Sequence, residues 1–121
     1  MVTESKTRHV EPDITVVEIS GRLGLGNALL GLENSINRLI EDGARKLALD
    51  VSGLTAIDSS GIGVLVSCNG LMERSGGQLR IAGAQGAVAK TFETVRLSRI
   101  AQIDTDVETC CRHLSSGTAT A

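Results

Sequence analysis

Apolar, β-branched runs alternate along this chain with segments whose apolar residues recur at helical spacing, and this alternation limits the fold most strongly. Ile14–Ile19 and Leu47–Val51 have the composition of buried strands. Between them, Leu32 and Ile36 share one helical face, and Gly43 stands where a helix commonly ends. Strands that alternate with helices predict right-handed crossovers and a mainly parallel sheet.

The rest of the chain continues the alternation. A second helix is predicted to begin at Ser59 or Ser60 and to stop at Gly76, and the strand Leu79–Ala82 follows. The remaining predicted elements are an edge strand, a helix, a short strand and a last helix, at Thr7–Val10, around Val88, Phe92 and Val95, at Arg99–Ile103, and around Val107, Cys110, Cys111 and Leu114. We therefore expect an α/β fold with a small, mixed but mainly parallel sheet of four to five strands and about four flanking helices. Gly21–Gly26 and Ser52–Ile57 are predicted to be connections.

The length of 121 residues fits one domain. Small and polar residues at both ends predict a flexible N-terminus over 1–6, a folded domain over 7–115 and a flexible tail over 116–121. No apolar run approaches the roughly 20 residues that span a bilayer, and no signal-peptide pattern opens the chain. We expect a cytoplasmic protein without a membrane span.

The composition argues against direct nucleic-acid binding. Phe92 is the single aromatic residue and the formal net charge is −2, so the chain lacks both stacking platforms and a basic excess. The usual Trp and Tyr anchors of a protein interface are missing as well. A partner would have to be bound by aliphatic, arginine and backbone groups. Phe92 is expected to fill the core.

Motifs for catalysis, cofactors and metals are not found in the sequence. Gly24-Leu25-Gly26 begins like a dinucleotide fingerprint, but Leu29 stands where the third glycine belongs. Cys110, Cys111 and His113 resemble a soft-metal set only loosely, because no second ligand pair accompanies them. The more common interpretation is two small buried side chains and a surface histidine. We expect no enzyme, cofactor or metal site.

One local constellation carries chemistry, the run Asp58-Ser59-Ser60-Gly61 between a strand and a helix. A serine at a helix N-terminus commonly caps free backbone N–H groups. Alternatively, one serine is exposed for phosphorylation, since the helix dipole tolerates an added phosphate there while Asp58 repels it. Both interpretations hold if one serine caps the helix and the other is exposed.

The seventeen residues Leu47–Gly63 (LALDVSGLTAIDSSGIG) closely resemble the STAS domain of bacterial anti-sigma factor antagonists. Their surroundings are similar too, because Ile19–Leu23 (ISGRL) resembles the end of that family's central strand and Gly76–Leu79 (GGQL) its entry into the next strand. The resemblance covers about residues 10–115. The run Asp58–Gly63 is its most specific part.

The resemblance implies a switched binding protein. Unphosphorylated members of this family bind an anti-sigma factor that is also a serine kinase, which frees a sigma factor for transcription. The kinase phosphorylates the serine after the motif aspartate, which ends the binding, and a phosphatase reverses the modification. Carried over by position, the phosphoacceptor is Ser59, while Ser60 is the alternative acceptor and the expected helix cap. The oligomeric state stays open between monomer and weak dimer.

The partner-binding surface is expected around Ser59. The predicted set comprises residues beside the serine on two segments of the chain, Leu23, Gly24, Leu25, Gly26, Thr55, Ala56, Asp58, Ser60 and Gly61. Asp50 and Asp58 are expected to frame the serine if they pair at the carboxyl side of the sheet; otherwise Asp50 is an ordinary strand-end residue. Lys90, Arg96 and Arg99 are expected to form a mildly basic, solvated face.

Gly24 departs from the family pattern, in which many members carry an aspartate at this position. This departure motivates a second hypothesis, a STAS scaffold or sensor module, or a subunit of a lipid-transport assembly, that binds a protein partner without phosphorylation. A small ligand-binding or enzymatic α/β domain is a third hypothesis, motivated by architecture alone.

Overall fold

The computed structural model describes residues 4–10, 13–24 and 27–117. These residues form five strands and four helices, and a 3-10 turn at Leu97–Arg99 precedes the last strand. In chain order they are β1 (Glu4–Val10), β2 (Ile14–Leu23), α1 (Asn27–Glu41), β3 (Lys46–Ile57), α2 (Ser59–Arg74), β4 (Gln78–Ala82), α3 (Gly86–Thr94), β5 (Gln102–Asp104) and α4 (Val107–Gly117). Flexible ends were predicted over 1–6 and 116–121; residues 1–3 and 118–121 lie outside the described residues, whereas 4–6 belong to β1 and 116–117 to α4.

The strands form one sheet in the order β1-β2-β3-β4-β5. β1 is antiparallel to β2, whereas β2, β3, β4 and β5 are mutually parallel. The mixed, mainly parallel α/β sheet predicted from the alternating pattern is thereby confirmed. The edge strand begins at Glu4, three residues before the predicted start.

The two central strands are longer than predicted. β2 runs to Leu23 and β3 to Ile57, and these two residues are register partners. The prediction of connections at Gly21–Gly26 and Ser52–Ile57 was therefore wrong for most of those residues. Register shifts after Glu18 and after Gly21 interrupt the alternation of buried and exposed side chains, which concealed the strands.

The chain before β5 also differs from prediction. Val95 ends α3 and is exposed instead of continuing its apolar stripe, and Arg99 belongs to the 3-10 turn instead of a strand. The last strand is Gln102–Asp104 rather than Arg99–Ile103. Neither apolar period nor composition separates one helical turn from a three-residue strand, so the boundary was misplaced.

The sheet separates two unequal cores. The larger one packs α1, α2 and α3 against alternate residues of β2, β3 and β4, and it includes Phe92, 4% exposed, as predicted. Burial of this ring stabilises the fold by about 2 kcal/mol. The smaller core packs Cys110 and Leu114 of α4 against Ile14, Val16 and small side chains of the other face. With fewer apolar residues, this second face depends more on polar contacts.

Candidate functional site

Ser59 is the first residue of α2 and its side chain is exposed. The preceding Asp58 has extended backbone angles, φ −117° and ψ −174°, and forms the N-cap. Its Oδ1 accepts a hydrogen bond from the Gly61 backbone N–H at 2.9 Å. The prediction that Ser60 caps the helix was therefore wrong, because Ser60 already lies within the first turn and the carboxylate of Asp58 reaches the free N–H group.

The two serines differ in accessibility. Ser59 is exposed, whereas Ser60 is half-buried. Since Asp58 provides the cap, the helix does not require either hydroxyl for that purpose. The geometry presents Ser59 to a partner more fully than Ser60.

The end of β2 lies directly against this helix start. The Asp58 N–H donates to the Leu23 carbonyl oxygen at 3.2 Å. A Cβ atom added to Gly61 would lie closer than 3.0 Å to that same carbonyl oxygen, so only glycine permits the approach. A Cβ added to Gly24 would lie 2.6 Å from Asp58 Oδ2. The carboxylate of Asp58 therefore occupies the space that a side chain at position 24 would need.

The structure brings the described members of the predicted partner-binding surface together, but not all of their side chains are exposed. Leu23 and Gly61 were expected on the partner-binding surface, but both are buried and do not offer the exposed side of such a surface. Leu23 faces the larger core from β2, and Gly61 is covered by the end of that strand. Thr55 is exposed at the end of β3, where its hydroxyl donates to the Gly21 carbonyl oxygen at 3.1 Å.

Other members complete the edge of this surface. Gly24 and Ala56 are half-buried, and Asp58 is exposed. Leu25 and Gly26, also predicted to bind the partner, lie outside the described residues. The described part of this surface offers small side chains, three hydroxyls, those of Thr55, Ser59 and Ser60, and the carboxylate of Asp58.

Asp50 does not belong to this site. It lies in the middle of β3, in register with Glu18 and Ala82, and its Oδ1 accepts a hydrogen bond from the Ser52 N–H at 2.9 Å. Seven further residues of β3 follow it, which at about 3.3 Å per residue places it on the order of 20 Å before the strand ends. The predicted carboxylate pair with Asp58 was wrong, because β3 extends through the expected connection.

A second polar cluster, which the sequence did not indicate, joins β4, β5 and α4. Arg80 donates to both carboxylate oxygens of Asp104, at 2.6 Å and 3.1 Å, and His113 Nδ1 lies 2.7 Å from Asp104 Oδ1. Burial opposes ionisation of Asp104, but the hydrogen bonds from Arg80 and His113 outweigh it and hold its pKa below the usual value. This cluster fastens α4 to its face of the sheet.

The cysteines lie within the cores. Burial, and then the charge of Glu33, raises the pKa of Cys68 to about 12. Burial, and then the charge of Asp104, raises the pKa of Cys110 to about 12. Both thiols therefore stay protonated at neutral pH, which removes the thiolate that nucleophilic attack or metal binding requires. His113, which the sequence grouped with Cys110 and Cys111, contacts Asp104 instead.

Over residues 4–10, 13–24 and 27–117, no group of three or more His, Cys, Asp or Glu side chains is arranged to hold a metal ion. In that same part of the chain, no helix combines the length and the apolar character needed to cross a membrane.

Comparison with known proteins places this geometry in a family. A sequence model of the STAS domain matches residues 5–110. The chain belongs to the STAS domain family.

Solved structures share its fold. An anti-sigma factor antagonist from Mycobacterium paratuberculosis aligns with a TM-score of 0.79 at 15% identity, covering 93% of this chain and 94% of that one. The phosphorylated form of SpoIIAA, described as a Bacillus cell fate determinant, gives 0.67 at 21% identity, covering 90% and 98%. The murine anion transporter Slc26a9 gives 0.70 at 16% identity, covering 95% of this chain and 22% of that one. At these identities the likeness establishes the fold.

Proposed function

We propose that this protein is an anti-sigma factor antagonist that binds an anti-sigma factor serine kinase, and so releases a sigma factor, through the surface around Ser59. The observation that carries the proposal is the exposed Ser59 at the start of α2, with its hydroxyl not needed for the cap. Structural neighbours include anti-sigma factor antagonists, one of them in a phosphorylated form.

Phosphorylation of Ser59 ends the binding in this proposal. A phosphate adds about −1.5 to −2 charges beside the carboxylate of Asp58, on a surface otherwise made of small side chains. The helix dipole of α2 tolerates this charge within the free protein. A partner packed on the surface would bury it unpaired, which costs a few kcal/mol, and 1.4 kcal/mol already lowers affinity tenfold. A phosphatase restores the binding form.

The decisive experiment is phosphorylation by a candidate anti-sigma factor kinase with ATP, followed by intact-mass measurement. We expect a gain of one phosphate that is absent in Ser59→Ala and retained in Ser60→Ala. Ser60 is the matched control, since it is the same residue type one position further along the same helix turn. Loss of the modification in Ser60→Ala alone would overturn the assignment of Ser59.

Binding is tested separately from modification. We expect Ser59→Asp to bind the kinase at least tenfold more weakly than the wild type in isothermal titration calorimetry, with Ser115→Asp, the same change at an exposed position of α4, leaving the affinity unchanged. Equal affinity of Ser59→Asp and the wild type would contradict the switch.

A STAS module that binds its partner without phosphorylation is the second candidate. Two observations favour it: the fold is shared with a segment of an anion transporter, and Gly24 leaves Asp58 as the one carboxylate described at this surface. In that case the kinase leaves the mass unchanged, while binding to a transport-assembly subunit survives Ser59→Asp.

A further inference from the structure

A second surface stands out in the six residues Val95–Ile100, which follow α3 and include the 3-10 turn. Among the described residues, the large hydrophobic side chains that are exposed are Val95, at 44%, and Ile100, at 55%. Both belong to this one short segment. Single exposed apolar residues are common and need no explanation, but two large ones within one six-residue segment indicate an interaction surface.

Hydrogen bonds and burial hold this segment in place. The Ile100 N–H donates to the Leu97 carbonyl oxygen at 2.9 Å, and the buried Asn69 donates from Nδ2 to the Ile100 carbonyl oxygen at 3.4 Å. The neighbouring side chains Leu97 and Ala101 are buried in the larger core. The side chain of Ile100 is thus held outward by a fixed backbone.

Arg96 gives the segment a strained backbone. Its φ of 55° and ψ of 48° are left-handed, and it is the one non-glycine residue with positive φ among the described residues. An L residue pays a steric penalty in this region, and such strain persists at positions that serve binding or catalysis more often than elsewhere. Glycine at position 96 would adopt this conformation without the steric penalty, yet the chain has arginine there.

The part of the chain that carries the two exposed apolar side chains also carries more positive than negative charge. Residues 90–100 carry Lys90, Arg96 and Arg99 against Glu93, a formal charge of +2 in a chain of net charge −2. The ion pairs of the described residues use other cations, those of Arg8, Lys46, Arg80 and His113. Arg96 and Arg99 are both exposed. They can therefore offer their guanidinium groups to an incoming anion.

The topology places this surface away from Ser59. β3 continues for seven residues beyond Asp50, the register partner of Ala82 at the end of β4, before Ser59 begins α2. The Ile100 carbonyl oxygen accepts a hydrogen bond from Asn69, which lies ten residues after Ser59 on α2, about 15 Å along the helix at 1.5 Å per residue. The segment therefore lies beside a later turn of α2 than the turn that carries Ser59.

We propose that Val95–Ile100 is a docking surface for an acidic, amphipathic segment of a partner protein. Apolar side chains of that segment cover Val95 and Ile100, and its carboxylates pair with Arg96 and Arg99, which arginine does with fixed geometry. The proposal rests on this segment alone and is independent of phosphorylation at Ser59.

The test uses the full chain labelled with ¹⁵N and a synthetic helical peptide with leucine on one face and glutamate on the other. We expect amide chemical shifts to change within 95–101, with affinity falling as salt is raised. The charge-reversed peptide, with lysine in place of glutamate, should leave these amides unmoved. Equal shifts with both peptides, or none with the acidic one, would overturn the proposal.

Variants separate binding from folding. Arg96→Glu with Arg99→Glu should weaken the acidic peptide at least tenfold, whereas the charge-matched pair Arg38→Glu with Arg74→Glu, on exposed ends of α1 and α2, should not. Arg96→Gly relieves the left-handed strain, so it should melt no lower than the wild type and still bind more weakly. Unchanged peptide affinity in both Arg96 variants counts against the surface.

Two other occupants are outcomes of the same series. Co-sedimentation with phosphatidylglycerol vesicles that is lost in the Arg96 and Arg99 double variant, without peptide binding, would replace the protein partner by a membrane surface. Concentration-dependent self-association that is lost in Val95→Ser with Ile100→Ser would replace it by a second copy of this chain. Peptide binding in the Ser59→Ala variant at wild-type affinity would support two independent surfaces.

Discussion

Asp58 and Asp104 are both carboxylates at the end of a parallel strand, yet their surroundings are opposite. Asp58 is exposed, accepts a hydrogen bond from a backbone N–H and lies over a glycine. Asp104 is 8% exposed and is held by Arg80 and His113. The first arrangement leaves a charge exposed beside Ser59, where the proposed partner and phosphate would meet it. The second uses a charge to fasten α4, whose apolar core is small.

This difference predicts that Asp104 affects mainly the stability of the fold, whereas Asp58 affects mainly the surface around Ser59. Changes at Asp104 should act on unfolding with little effect on partner binding, while changes around Asp58 should act on the surface at Ser59 with modest effects on unfolding. Variants at each carboxylate, each compared with a control substitution elsewhere in the chain, test this difference between the two sites.

Asp104→Ala should have the largest effect on stability. Removal of the carboxylate leaves the largely buried guanidinium of Arg80 without its ion pair, and we expect a loss of about 3 kcal/mol in the free energy of unfolding by urea titration. The control is Glu18→Ala, which breaks the exposed pair with Arg8 and should cost less than about 1 kcal/mol. Equal losses in both would contradict the special role of Asp104.

The same carboxylate should make stability depend on acid pH. The pKa of Asp104 is held below the value of about 3.9 that an aspartate has in the unfolded chain. Its contribution to the free energy of unfolding is therefore complete above about pH 3.9 and is lost as the pH falls through the lower pKa of the folded state. Arg80, His113 and the neutral thiol of Cys110 are the groups that surround it. Urea unfolding across this pH range should show a shallower fall for Asp104→Asn than for the wild type. Parallel curves would refute the assignment.

Gly61→Ala should cost about 2 kcal/mol, because the new methyl group meets the backbone carbonyl of Leu23 and pushes α2 from β2. Gly63→Ala is its matched control in the same helix. A Cβ there meets nothing within 4 Å, so alanine should stabilise the protein by about 1 kcal/mol. The two substitutions should thus have opposite signs in thermal denaturation.

Asp58→Ala should cost about 1 kcal/mol through loss of the helix cap, with Asp58→Asn close to the wild type. Kinase binding should be affected more than unfolding, since the carboxylate is part of the exposed surface. Calorimetric titration beside urea unfolding checks both, and an alanine variant with full binding and full stability would leave Asp58 without a role.

Gly24→Ala should have the smallest effect. Its methyl group displaces the flexible carboxylate of Asp58 from the cap, so the loss should not exceed about 1 kcal/mol. Because both changes break the same hydrogen bond, Gly24→Ala should cost less in an Asp58→Ala background, which a double-mutant cycle measures. Additive losses would show that position 24 acts by another route.

The prediction from sequence agrees with the structure in segments whose buried residues recur at the regular spacing of a strand or a helix. The strands around Ile14–Ile19 and Leu47–Val51 and the helix opened by the two serines follow from apolar spacing and flanking glycines. The position of Ser59 at the start of α2 agrees with the prediction as well, whereas its role in binding stays a prediction. Strand ends were missed where register shifts break the period, and Ser60 was preferred to Asp58 as the cap because both residue types favour that position.

Local sequence accounts for the order of elements, the α/β class and the position of Ser59 at a helix start, since each depends on residues within a few positions of one another. Packing between distant segments accounts for the rest: Asp58 fills the space over Gly24, Asp104 joins Arg80 and His113, and Val95 and Ile100 stay uncovered. Each of these depends on a distance between segments far apart in the chain, and such distances leave no local pattern in sequence because packing and strand register fix them.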